Sequence, residues 1–218
     1  MKRQPASERS VKEPKLSRTH PPDGLAPADW QRVLRRQFGR EQAFVLENLG
    51  DQPFFSEFRV SNPQSKASYR VAIRGLHAGD NYCSCPDHAT NELGTCKHIE
   101  FVLARLEKKR GAKTAFAQGW RPAYSEIYLR NDGARAVHFR AGSDCPPGVM
   151  RAAARLFDSS RGGVLPEERF GGLERFVARA AKSGHELRAY DDALDFIAGR
   201  RDAARRSEAI DALFPRGA

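Results

Sequence analysis

The tightest constraint in the sequence is a spacing. Cys83 and Cys85 form Cys-x-Cys, ten residues intervene, and Cys96 and His98 form Cys-x-His. Three thiols and one imidazole make a complete ligand set for one tetrahedral zinc. Side chains at i and i+2 of a strand share a face, so Cys83 and Cys85 present both sulfurs to one side of an extended segment. Pro86 favours that geometry, because the residue before proline is pushed towards extended conformations. Cys96 and His98 cannot both face one ion from within a helix, since positions two apart lie about 200° apart on it. The predicted arrangement therefore puts Cys96 in the turn before a helix, Thr95 at its N-cap and His98 in its first turn. Ile99, Val102, Leu103 and Leu106 then share one helical face. Lys108, Lys109 and Arg110 suit the C-terminal end of the dipole, and Gly111 the stop. A Cys83–Cys85 disulfide is disfavoured by strain. With no signal peptide, the expected compartment is a reducing one, the cytoplasm. Asp87 and His88, inside the ligand loop, are the alternative ligands. Glu92 and Glu100 read as surface charges.

The four positions resemble the SWIM zinc finger, whose signature is Cys-x-Cys, a variable gap, then Cys-x-His; the match is complete at Cys83, Cys85, Cys96 and His98. That family is a small ββα-type zinc module. It occurs in bacterial Swi/Snf-family helicase-like ATPases, plant Mutator-type transposases and eukaryotic signalling and recombination proteins. The resemblance implies one structural Zn2+ and a DNA or protein partner.

The net charge of +10 and pI near 9.8 favour an acidic partner such as nucleic acid. The excess is spread, at about +3 over residues 1–26, about +3 over 27–111 and about +4 over the remainder. No apolar run is long enough to span a membrane. Cys145 is left over from the metal set and reads as a spare thiol.

In order, residues 1–26 form an expected disordered basic tail. Residues 27–111 form the expected finger domain, flanked by N-terminal helices. Trp30, Val33, Leu34 and Phe38 follow helical spacing with Gly39 as the stop, and a second short helix is expected from Glu41 to Leu49. Phe58 and Val60, then Tyr69, Val71 and Ile73, alternate as two strands of a hairpin. Its outward face is expected to carry Arg59, Arg70 and Arg74 as a phosphate-contacting surface. Lys113 and Thr114 approximate a phosphate-binding loop, but the required Gly-Lys pair and upstream glycine are missing.

Residues 120–214 read as a small α+β adaptor unit. Ile127 and Leu129, then Val137 and Phe139, form strands around an Asn131-Asp132-Gly133 turn. Helices follow after Pro147, from Pro166 to about Lys182, and from Asp191 or Asp192. A short strand is expected over 185–190. The whole is α+β. The segment order from Tyr82 to Ala218 resembles the region preceding the motor in bacterial Swi/Snf-family ATPases with an N-terminal SWIM finger. Both nucleotide-binding motifs are absent from these residues, so the family's ATPase activity does not carry over. The motor is expected in a separate chain or a longer form of this one.

Two functions follow: a DNA-binding accessory module of a Swi/Snf-type system, nucleoid-associated in that case, or a protein–protein adaptor with a purely structural zinc. Neither calls for a membrane or a small-molecule substrate. Catalysis is not expected. A full Cys3His set leaves zinc no open position, and the His-x-Glu and Cys-x-x-Cys elements of a zinc deaminase are missing.

Overall fold

The computed structural model describes residues 15–213; residues 1–14 of the tail expected over 1–26 lie outside the described residues, and residues 15–26 are described as part of the fold. Among them are seven α-helices and two sheets in a mixed α+β arrangement. Helix α1 spans Pro27–Glu41, and the segment before it runs back along it, with Lys15 paired to Glu41 at 2.7 Å and Arg18 over the Phe38 ring at 4.7 Å. The first sheet is antiparallel, with β1 (Val45–Asn48), β2 (Glu57–Ser61), β3 (Ser68–Ala72) and β4 (Tyr82–Cys83) in that order. Helices α2 (Pro86–Thr90), α3 (Lys97–Leu106) and α4 (Ala112–Gln118) follow. The second sheet has the order β6-β5-β7, from β5 (Ser125–Asp132), β6 (Ala134–Arg140) and β7 (Leu187–Ala189). Helices α5 (Pro147–Leu156) and α6 (Leu173–Lys182) lie between β6 and β7, and α7 (Asp191–Leu213) follows β7.

The hairpin alternation holds. Phe58 faces Val71 across β2–β3 and Val60 faces Tyr69, and Phe58, Val60 and Val71 are fully buried. They pack on the Ile99, Val102 and Leu106 face of α3. The expected helix over Glu41–Leu49 is instead strand β1, paired with β2 from Val45↔Ser61 to Asn48↔Phe58. A helix there would bury Phe44, Val45 and Leu49 together. Only Phe44 is buried, while Val45 is 55% exposed and Leu49 40%. The free edge of β2 supplies backbone partners that local periodicity does not reveal. Gly39 does not stop α1 either. It lies inside the helix, where a Cβ would sit 2.7–2.8 Å from Phe101 N, Glu100 Cβ and Lys97 O of α3. Its missing side chain lets the two helices touch.

In the second sheet, Gly133 takes φ +76° at the β5–β6 turn, a backbone region glycine enters without penalty. Ile127 and Val137 are fully buried. They meet an aromatic cluster in which Phe139, Phe157 and Phe176 stand 5.2–5.4 Å apart. Strand β7 pairs in parallel with β5 on the edge opposite β6, so the helical connection from β6 starts and ends at the same end of the sheet.

The two sheets meet through Arg74. The sequence reading places it on an outward face, yet it is only 7% exposed. Its guanidinium lies between the Tyr128 and Tyr190 rings at 4.7 and 4.5 Å. It donates to Asp80 O at 2.9 Å and lies 3.8 Å from the buried Glu126 carboxylate. Glu126 in turn binds Arg140 and accepts from Tyr190 Oη at 2.9 Å. A cation with two aromatic faces and a carboxylate is well held away from water, and this explains the inward turn.

Candidate metal centre

Cys83 ends β4, and Cys85 follows it two residues later as the N-cap of α2, with its Sγ accepting from His88 N at 3.4 Å. Cys96 is the N-cap of α3 in an extended conformation, φ −149° and ψ 168°. Thr95 therefore does not cap. Its hydroxyl donates to Glu100 Oε1 at 2.8 Å. His98 lies in the first turn of α3, as the spacing requires.

The ligand atoms of Cys83, Cys85, Cys96 and His98 lie within 4.8 Å of one another, and all four residues are buried. His98 Nδ1 is 3.8 Å from Cys83 Sγ and 4.0 Å from Cys96 Sγ. Tetrahedral zinc with ordinary bond lengths separates sulfur from nitrogen by about 3.6 Å and sulfur from sulfur by about 3.8 Å. The residues thus fit one metal ion, and the donor set, soft thiolates with one imidazole, suits zinc. The imidazole is fixed by the rings of Tyr69 and Phe44, whose centroids lie 4.6 and 5.2 Å from its own. Sequence reasoning missed this pair. The β3 alternation holds the signal for Tyr69, and the misassigned helix hides that of Phe44.

The thiols act as one group. Hydrogen bonds from Cys83 and then Cys96, joined by the His88 amide, hold the Cys85 thiol far below its ordinary range. The bond to Cys85 pushes the Cys83 thiol up, with Cys96 and burial adding to it, while Cys96 is raised chiefly by burial. Three adjacent thiolates repel one another, and a divalent cation is what allows all three to ionise.

The alternative ligands lie elsewhere. Asp87 forms a bidentate pair with Arg35 of α1 at 2.7 and 3.1 Å. The His88 ring stands edge-on to Tyr82 and is absent from the metal cluster. Glu100 is no surface charge. It is 6% exposed, bonded to Thr95 and paired with Arg36 at 3.4 Å. Of the expected basic face, Arg59 and Arg70 are cross-strand partners, and each meets a carboxylate: Arg59 with Glu47 at 2.7 Å, Arg70 with Asp191 at 3.0 Å.

The ligand loop is also gripped by the second sheet. Asn131 Nδ2 donates to Asn91 O at 3.0 Å, and Arg135 donates to the carbonyls of Ala89 and Asn91. Gly94, at φ +72°, runs so close to Asn131 O that a Cβ would collide with it.

No family model, no curated protein and no solved structure matches the chain. The likeness to the SWIM finger rests on the four ligand positions.

Proposed function

We propose that the tetrad binds one zinc ion, that this zinc is structural, and that the chain is a non-catalytic accessory module of SWIM type. In this reading it contacts DNA on behalf of a Swi/Snf-type ATPase, in the cytoplasm or on the nucleoid. The observation that carries the zinc is the convergence of four buried ligand atoms within 4.8 Å. Four protein ligands complete a tetrahedral shell, as in structural rather than catalytic sites. The same cysteines belong to the hydrophobic cluster of the first sheet and α3, so the ion would reinforce a core of limited size. The excess of ten positive charges supports a nucleic-acid partner.

The pairing of Arg59 and Arg70 with carboxylates favours the second reading, a protein–protein adaptor, because paired guanidiniums attract phosphate less. Metal analysis of reduced protein, then fluorescence anisotropy with single- and double-stranded DNA at two salt concentrations, separates the two. One zinc per chain with salt-sensitive DNA binding, lost on chelation, supports the accessory module. One zinc with no DNA binding at low salt leaves the adaptor.

A further inference from the structure

The second unit gathers positive charge that no carboxylate of the chain neutralises. Helices α5 and α6 pack together in the second core, and between them runs an open groove of about 440 Å3. Arg155 of α5 and Arg175 and Arg179 of α6 line it together with the more buried Ala152, Leu156 and Phe176, and among the described residues no carboxylate does. Arg151, one helical turn from Arg155, and Lys182, beside Arg175 and Arg179, extend the two rows. All five cations are exposed, and among the described residues none of the five meets a carboxylate. Helix α5 contains no acid. At 3.6 residues per turn, Arg175, Arg179 and Lys182 fall within about 60° of one another, and Glu174, the one acid of α6, stands about 80–140° away from them.

Local contacts fix the groove. Arg169 Nη1 donates to Arg155 O and Leu156 O at 3.3 and 3.4 Å and so holds the last turn of α5. A Cβ on Gly172 would stand 2.7 Å from Leu156 Cδ1, so the missing side chain lets α6 begin directly against α5. The other basic surfaces differ. Arg59 and Arg70 are paired with Glu47 and Asp191, and Arg200 and Arg205 of α7 with Glu167 and Asp202. The run Lys108-Lys109-Arg110 follows Glu107, and Lys109 Nζ turns back to Pro53 O at 3.4 Å. A guanidinium without a protein carboxylate keeps its fork of donors for an incoming oxyanion, and two facing rows of cations suit a polyanion. Phe176 is 4% exposed, so the groove offers no ring on which a base could stack. Of the large exposed apolar side chains only Met150 belongs to these helices, too little to enter a lipid layer.

We infer that the α5–α6 groove is where the chain holds nucleic acid, through contacts from Arg155, Arg175 and Arg179 to phosphodiester oxygens that do not read sequence. The inference deepens the nucleic-acid reading and rests on it. The test applies fluorescence anisotropy to the metal-loaded chain with mixed-sequence single- and double-stranded DNA over a series of salt concentrations. Two variants of equal charge are compared: Arg155→Gln/Arg175→Gln/Arg179→Gln in the groove, and Lys108→Gln/Lys109→Gln/Arg110→Gln away from it. The groove variant should bind at least about tenfold more weakly at low salt and flatten the slope of log affinity against log salt by about 2–3, since each phosphate contact contributes about 0.9 on a duplex and about 0.7 on a single strand. The second variant should keep most of the parent chain's affinity. Both should keep its metal content and thermal unfolding, because the altered side chains are exposed. DNA binding that the groove variant leaves unchanged, or that both variants weaken equally, overturns the groove and leaves the nucleic-acid reading standing. A parent chain that binds neither DNA at low salt overturns both, and its capture of phosphatidylserine vesicles or polyglutamate instead would identify a different polyanion as the partner.

Discussion

Replacing Gly39 by alanine sets two effects of opposite sign against each other. Alanine is the better helix former by about 1 kcal/mol in a helix interior, and Gly39 lies inside α1. Its new Cβ, however, would stand 2.7 Å from Phe101 N and 2.8 Å from Glu100 Cβ and Lys97 O. Carbon contacts are comfortable at about 3.5–4.0 Å, so the helices must separate or shear. Two of the three obstructing atoms are backbone and cannot rotate away. Overpacking of this kind costs about 1–3 kcal/mol, and the rigid neighbours put the cost in the upper part of that range. The net expectation is a loss of about 1–2 kcal/mol. At about 2–4 °C per kcal/mol for a chain of this size, thermal unfolding of the metal-loaded protein should come several degrees earlier. The obstructed turn, Lys97 to Phe101, carries His98, so a competing chelator should also strip the metal faster from the variant. A raised melting temperature with unchanged metal release would refute the packing argument and show that propensity prevails.

Three further outcomes are expected. Chelation, or Cys96→Ser, should melt the first sheet and α3 rather than only free a ligand, since structural zinc supplies about 10–16 kcal/mol of apparent free energy; an unchanged unfolding curve would count against a structural ion. Arg74→Met should cost about 3 kcal/mol, because it strips a cation from the buried Glu126 carboxylate; denaturant titration reads it, and a near-neutral result would mean that Arg140 alone satisfies Glu126. His138 is buried, with Gly162 O at 3.1 Å from its Nδ1, and burial lowers its pKa below the ordinary 6.5. The unfolded chain then takes up the proton first. Its contribution is therefore fully present above pH 6.5 and is lost as pH falls from there through the folded pKa. Comparing the pH dependence of unfolding with that of His138→Gln isolates it.

Much of the metal centre was legible because its chemistry is local. Cys-x-Cys and Cys-x-His fix which side chains can converge, and the alternation of Phe58, Val60, Tyr69 and Val71 fixes the sheet beneath them. The errors share one cause, which is that the deciding partner lies far along the chain. Strand β1 exists because β2 offers an edge. Gly39 is explained by α3, more than fifty residues away. Arg74 turns inward because Tyr128, Tyr190 and Glu126 await it. Glu100 is buried because Thr95 and Arg36 hold it. Helix α4 is hidden in the sequence because Gly111, which reads as a stop, has φ +86° as its N-cap, and the near-miss phosphate loop at Lys113 and Thr114 is that helix's first turn.

Helix α7 gives the molecule a mechanical property. Ala193 and Ile197 anchor its first turns in the second core, Arg200 still reaches Glu167, and residues 201–213 are exposed throughout. At 1.5 Å per residue, that leaves about 20 Å of rod standing clear of the body. Its base carries Asp191, paired with Arg70 of the first sheet, and Asp192. A sideways load on the tip would therefore arrive as torque at the Asp191–Arg70 pair, where the second sheet's helix meets the first sheet that carries Cys83.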